Sequence, residues 1–171
     1  MANVDKAQSA VKKNVKALAG KYLTFDLGRE EYCIGILKVR EIIGLMEITA
    51  VPHTPRYIKG VINLRGEIIP VVRMESLLGA VPDGGGGPNR KRRMIIIDVA
   101  AGRFGFFVDE VLEVARIQSG DMQPAPALGA AGPLGAAVTG IVKVSGRMIV
   151  CLDPEKIIRD DIMAKEPALG G

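Results

Sequence analysis

The chain contains no tryptophan, one histidine and two cysteines, and only 4% of its 171 residues are aromatic. Each shortage closes off a class of function. General acid–base catalysis draws on titratable groups converging in a pocket, most often including histidine. The single one here, His53, lies between prolines in Val51-Pro52-His53-Thr54-Pro55. Prolines hold the preceding residues out of the α region, so the stretch is an extended turn and His53 is structural or incidental, neither a catalytic base nor a phosphorylated histidine on a helix face. Cys33 and Cys151 each stand inside an apolar run without the CxxC spacing of the usual zinc site, which suits buried thiols better than a disulfide framework. The four serines, at 9, 76, 119 and 145, form no Gly-x-Ser-x-Gly elbow. The glycine run 84–87 lacks the Lys-Ser or Lys-Thr of a phosphate-binding loop. No enzyme, metal or cofactor is expected.

Scarce aromatics also leave little material for a base-stacking surface. The net charge of +4 and the basic cluster Arg90-Lys91-Arg92-Arg93 therefore read as a solvated linker beside a strand, not a nucleic-acid interface, although the cluster could favour an anionic partner. Apolar runs stop well short of the roughly 18 residues of a membrane helix. The first twenty residues scatter lysines and lack the apolar centre of a secretory signal, so a cytoplasmic location is expected.

What the chain does have is alternation. Leu23, Phe25 and Leu27 alternate with Tyr22, Thr24 and Asp26, and a turn at Gly28-Arg29-Glu30 leads into Tyr32, Ile34 and Ile36. A second hairpin is predicted around Arg65-Gly66, between apolar runs at 61–64 and 67–72. After a Gly/Pro linker the pattern returns. Residues 26–42 align without gaps on 98–114, an offset of 72, and residues 60–78 on 140–158, an offset of 80; Gly60 then matches Gly140, and Gly66 matches Gly146. The eight extra residues fall in the Pro/Ala-rich stretch 123–137, where a duplicated fold tolerates insertion.

Each copy supplies about five short strands, and closing such a sheet removes its exposed edges. The expected fold class is mainly all-β: two five-stranded barrels from an internal duplication, with short helices. The expected organisation is a flexible or helical tail over 1–20 and a domain over 21–160, followed by a C-terminal helix and tail over 154–171. Within the domain, subdomain one covers about 22–79, a Gly-rich linker 80–93, and subdomain two about 94–153. Units this small bury little surface alone, so they should pack together and leave a binding groove at the seam.

The segments 36–42 (Ile-Leu-Lys-Val-Arg-Glu-Ile) and 58–66 (Ile-Lys-Gly-Val-Ile-Asn-Leu-Arg-Gly), with Val51-Pro52, Pro55 and Ile69-Pro70-Val71, resemble the CheW family of chemotaxis coupling proteins. In the second half, 105–111 (Gly-Phe-Phe-Val-Asp-Glu-Val), Pro124, Pro126, Gly140-Ile141 and Leu152-Asp153 continue the likeness, which spans about 20–160. The resemblance implies SH3-like barrels and a non-catalytic adaptor that couples methyl-accepting chemoreceptors to a CheA-type histidine kinase, recruited to membrane receptor arrays. An adaptor of the same type serving surface motility is the alternative. CheA and CheV carry the same module, but the chain has no room for their nucleotide-binding or receiver domains. Receptor contact is implied for Val39, Glu41, Gly60, Asn63 and Arg65. The sequence departs from the family at Arg73, where an acid is usual; the second-half counterpart, Asp153, is retained.

Overall fold

A computed structural model describes residues 20–75, 91–124 and 137–158. Eleven strands run through these residues: β1 (Lys21–Leu27), β2 (Glu30–Gly35), β3 (Val39–Ile43), β4 (Ile58–Leu64), β5 (Glu67–Val72), β6 (Arg93–Val99), β7 (Gly102–Val108), β8 (Glu110–Arg116), β9 (Met122–Gln123), β10 (Val138–Val144) and β11 (Arg147–Leu152). Short 3-10 turns, Ile36–Lys38 and Ser119–Asp121, lead into β3 and β9. The first twenty residues but for Gly20, most of the Gly-rich linker and the end of the expected C-terminal helix lie outside the described residues. That helix begins as expected, in α1 (Pro154–Lys156), with Pro154 in the first turn and the Asp153 side chain accepting from the Glu155 amide.

The duplication holds strand by strand. Hairpin turns at Arg65-Gly66 and Ser145-Gly146 share one backbone conformation, with φ of 51° at both Arg65 and Ser145. Bulges recur at matching places, between Ile58 and Gly60 in β4 and between Val138 and Gly140 in β10. Gly60 and Gly140 are glycines for the same reason. A Cβ on Gly60 would lie 2.6 Å from Ile48 Cγ2 and run into the Thr49 carbonyl, and one on Gly140 would lie 2.5 Å from Met122 Cγ and 2.6 Å from the Gln123 carbonyl.

The sheets cut across the expected subdomain boundaries, however. One sheet has the order β8-β1-β2-β11-β10-β9 and the other β3-β6-β7-β5-β4. Barrel one thus combines β1 and β2 of the first repeat with β8 to β11 of the second, and barrel two combines β3 to β5 with β6 and β7. Residues 22–79 and 94–153 are the two copies of the repeat, but neither copy is a barrel. The exchange is made by two parallel pairings, β2 with β11 and β5 with β7, and two antiparallel ones, β1 with β8 and β3 with β6. Gapless alignment reports that a unit recurs; it carries no information on which copy supplies a strand's neighbour, because that pairing is non-local. Each sheet then curls round. The edge strands β8 and β9 are consecutive in the chain, and in barrel two Thr49, downstream of β3, bridges Val61 of β4.

Three apolar clusters follow from this arrangement. Cys33, Ala115, Ile117, Val142, Ile149 and Cys151 fill barrel one, and Ile62, Ile69, Val71, Met94 and Ile96 fill barrel two. The largest lies between them and draws Leu23, Phe25 and Ile34 from β1 and β2, and Ile95, Ile97 and Phe106 from β6 and β7. The four exchanged strands are therefore buried on both faces, which is why β6 reads as the unbroken apolar run Met94–Ile97. Thr24 is wholly buried in β1, where its hydroxyl both donates to the Glu113 carbonyl and accepts from the Glu113 amide. No helix among the described residues is long and apolar enough to cross a membrane.

Candidate functional site

Three of the five expected site residues come together at the free end of the β4–β5 hairpin. Arg65 sits at the turn in a left-handed conformation that side chains rarely adopt. Its guanidinium pairs with the Glu41 carboxylate on β3 while its side chain stays 70% exposed. The Asn63 side-chain oxygen accepts from the Gly66 amide at 2.8 Å and pins the turn beneath Arg65. Asn63 and Arg65 are thus held by local geometry, and Glu41 by its place on β3. The result is a preset polar cluster presenting a guanidinium to solvent.

The other two lie apart from it. Val39 opens β3, opposite Ile97, and packs half-buried against the central core. Gly60 occupies the bulge of β4, where it lets the segment around Ile48 and Thr49 lie against the strand. Neither presents a functional group.

The seam between the barrels carries a groove of about 470 Å³, lined by Leu45, Met46 and Ile48 after β3, Lys59 and Phe107 from barrel two, and Asp109 where β7 passes to β8. Lys59 Nζ stands 4.7 Å from the centre of the Phe107 ring, a cation–π arrangement. Asp109 is 9% exposed and accepts from the Gly28 amide at 2.8 Å, tying the β1–β2 turn to the groove wall. Of the five expected residues, none lines the groove; Gly60 adjoins it through Lys59 and Ile48. The sequence offered no periodic signal for Leu45 and Met46, which lie in an irregular stretch.

Outward-facing apolar residues also recur by the repeat. Ile42 and Val114 occupy equivalent positions, as do Ile68 and Met148, and all four are exposed. His53 has φ of 62° and lies exposed in its turn. No group of three or more potential metal ligands occurs among the described residues.

Two interlocked barrels with a polar hairpin tip and a groove at their seam define a protein-binding module of the paired SH3-like type. The CheW-like domain family matches residues 21–161. The chemotaxis protein CheW of Klebsiella aerogenes is 34% identical over 155 residues, 88% of this chain and 91% of that protein. That of Rhizobium meliloti is 32% identical over 135 residues, 79% and 84% of the two chains. The crystal structure of the scaffolding protein TtCheW from Thermoanaerobacter tengcongensis superposes with a TM-score of 0.72 at 32% identity, covering 86% of this chain and 96% of that one. The chain belongs to the CheW family. It is a non-catalytic scaffolding adaptor of chemotaxis signalling.

Proposed function

We propose that this adaptor couples methyl-accepting chemoreceptors to a CheA-type histidine kinase at the cytoplasmic face of membrane receptor arrays. The observation that carries this reading is the one-sidedness of the hairpin cluster. The repeat places Ser145 and Lys143 where Arg65 and Asn63 stand, although the Ser145 turn has the same backbone conformation. A turn that reaches the same backbone conformation without arginine keeps it for something outside the turn. The guanidinium, held forward by Glu41, offers a planar fork for a carboxylate or for carbonyls at a helix end on the receptor tip. Glu41, Asn63 and Arg65 make the contact in this scheme, while Val39 and Gly60 shape the strands beneath it.

The test is a co-sedimentation and kinase assay with a receptor cytoplasmic fragment, kinase and ATP. The adaptor should bring kinase into the receptor pellet and change its autophosphorylation. Equal kinase recovery and activity with and without the adaptor would refute the coupling role.

A further inference from the structure

Cys33 of β2 and Cys151 of β11 are directly paired in the parallel ladder that joins the first repeat to the second in barrel one. Both are free, both are fully buried, and their sulfurs lie 2.8 Å apart. The equivalent ladder of barrel two pairs Gly105 with Val71. The fold therefore closes this seam without sulfur, and the thiol pair is an addition to one barrel only. Neighbouring strands in a ladder run about 4.7–4.9 Å apart, within the roughly 4.4–6.8 Å between Cα atoms that a disulfide spans. The two sulfurs already face each other inside the barrel, beside Val142 and Ile149.

We propose that Cys33 and Cys151 form a latent modification site, a buried dithiol that an oxidant of the peroxide class converts into an intramolecular disulfide linking the two repeats. In the first step the thiolate of one cysteine attacks one peroxide oxygen; the O–O bond breaks, a sulfenic acid forms, and the departing hydroxide takes up the proton that thiol released. In the second, the sulfur of the other cysteine attacks the sulfenic sulfur, the S–O bond breaks, and hydroxide leaves as water with the second thiol's proton. Two thiols and one peroxide give one disulfide and two waters. Either sulfur of the pair can donate to the other, so either cysteine can take the first step. Because neither sulfur is exposed, oxidation proceeds through local opening of the barrel and is slow. The product crosslinks residues 118 apart in sequence, a long loop whose closure restrains the unfolded chain.

The full-length protein is incubated with hydrogen peroxide, then denatured and alkylated, and melted with and without dithiothreitol. Both thiols should resist alkylation, a peptide joining Cys33 to Cys151 should be recovered, and Tm should rise by several degrees and fall back on reduction. Cys151→Val installs the residue that barrel two carries at this position, and it should abolish both the crosslinked peptide and the peroxide-dependent rise in Tm. Cys33→Ala gives the same comparison if the first variant does not fold. Two thiols still open to alkylation, or disulfides only between molecules, would overturn the proposal. So would an oxidised protein that melts no higher than the reduced one.

Discussion

Glu31 in β2 and Arg103 in β7 stand at the same position of the two repeats and carry opposite charges. Each is answered across the parallel pairing by another matched and inverted residue: Arg147 of β11 meets Glu31, and Glu67 of β5 meets Arg103. The ion pair at each exchange seam is thus retained with its polarity reversed. The exchange is not equal in quality. Arg103 also meets its cross-strand neighbour Asp98 at 2.7 Å, whereas Glu31 faces Asp26, a like charge, and one of its carboxylate oxygens is buried without a hydrogen-bond partner.

Reversing the polarity of barrel one should therefore be tolerated as a pair and not singly. Glu31→Arg leaves two cations opposed and should lower Tm by several degrees, as should Arg147→Glu, which faces Glu31 and Glu113. The double variant restores opposite charges and sets the new arginine beside Asp26, as Arg103 sits beside Asp98. Thermal melts of the four proteins should show the double variant losing less Tm than the sum of the two single changes; additivity would show that the seam pair does not contribute.

Acid should reveal the strained side of the same pair. Burial raises the Glu31 pKa above the ordinary carboxylate value, Arg147 opposes the rise, and Asp26 and Glu113 add to it. A carboxyl raised in the folded state favours folding below its ordinary value near 4.3, and that contribution is lost as pH climbs through the raised value. Glu31→Gln does not titrate. Its Tm relative to the parent should rise between about pH 4 and pH 7, and a fall over this range would mean that the bond to Arg147 outweighs burial.

The two glycines of the bulges make a steric prediction. Gly60→Ala drives a methyl group into the Thr49 carbonyl and Ile48, and Gly140→Ala into Met122 and the Gln123 carbonyl. Each should cost about 2 kcal/mol or more, read from denaturant midpoints. Gly44→Ala, where nothing lies within 4 Å, is the control, and it should remain near the parent. Equal effects at all three would remove the close approach as the cause.

Arg65 and Ser145 separate binding from folding. Both hold φ near 51°, so Arg65→Gly and Ser145→Gly should each hold or raise stability by up to about 1 kcal/mol, less in the first for the loss of the exposed ion pair to Glu41. Arg65→Ala should weaken binding of a receptor fragment at least tenfold in calorimetric titration with little change in Tm, and Glu41→Ala should do so less. Ser145→Ala should leave affinity unchanged. A loss of affinity matched by a collapse of stability would assign Arg65 to the fold alone.

The repeat, its offsets and its turn glycines were legible because they are local. Alternation fixes strands, and a glycine at a tight approach is written in the chain at the place where it acts. Arg65 came from the family resemblance, and the same repeat sets it against Ser145. Strand exchange was not legible, since Tyr32 pairs with Val150 and Phe106 with Val72 across distances that periodicity does not see. A groove at the seam was expected from the small size of the units, but its lining was not legible: Leu45, Lys59 and Asp109 meet there only after the barrels are assembled. Cys33 and Cys151 were read as buried thiols from their apolar surroundings, but their adjacency is a product of the β2–β11 seam.

The interleaving of β1 and β2 with the strands of the second repeat bears on how such a chain arose. A protein carrying one repeat has five strands and no complete barrel, and it completes both only by lending its first hairpin to a second copy. A one-repeat chain with these pairings would be an intertwined homodimer, with two identical tips and two identical seams. Carrying both copies in one chain makes those tips and seams separately mutable. Arginine on one tip and serine on the other, or cysteines in one seam and glycine with valine in the other, are differences that a symmetric dimer could never have acquired.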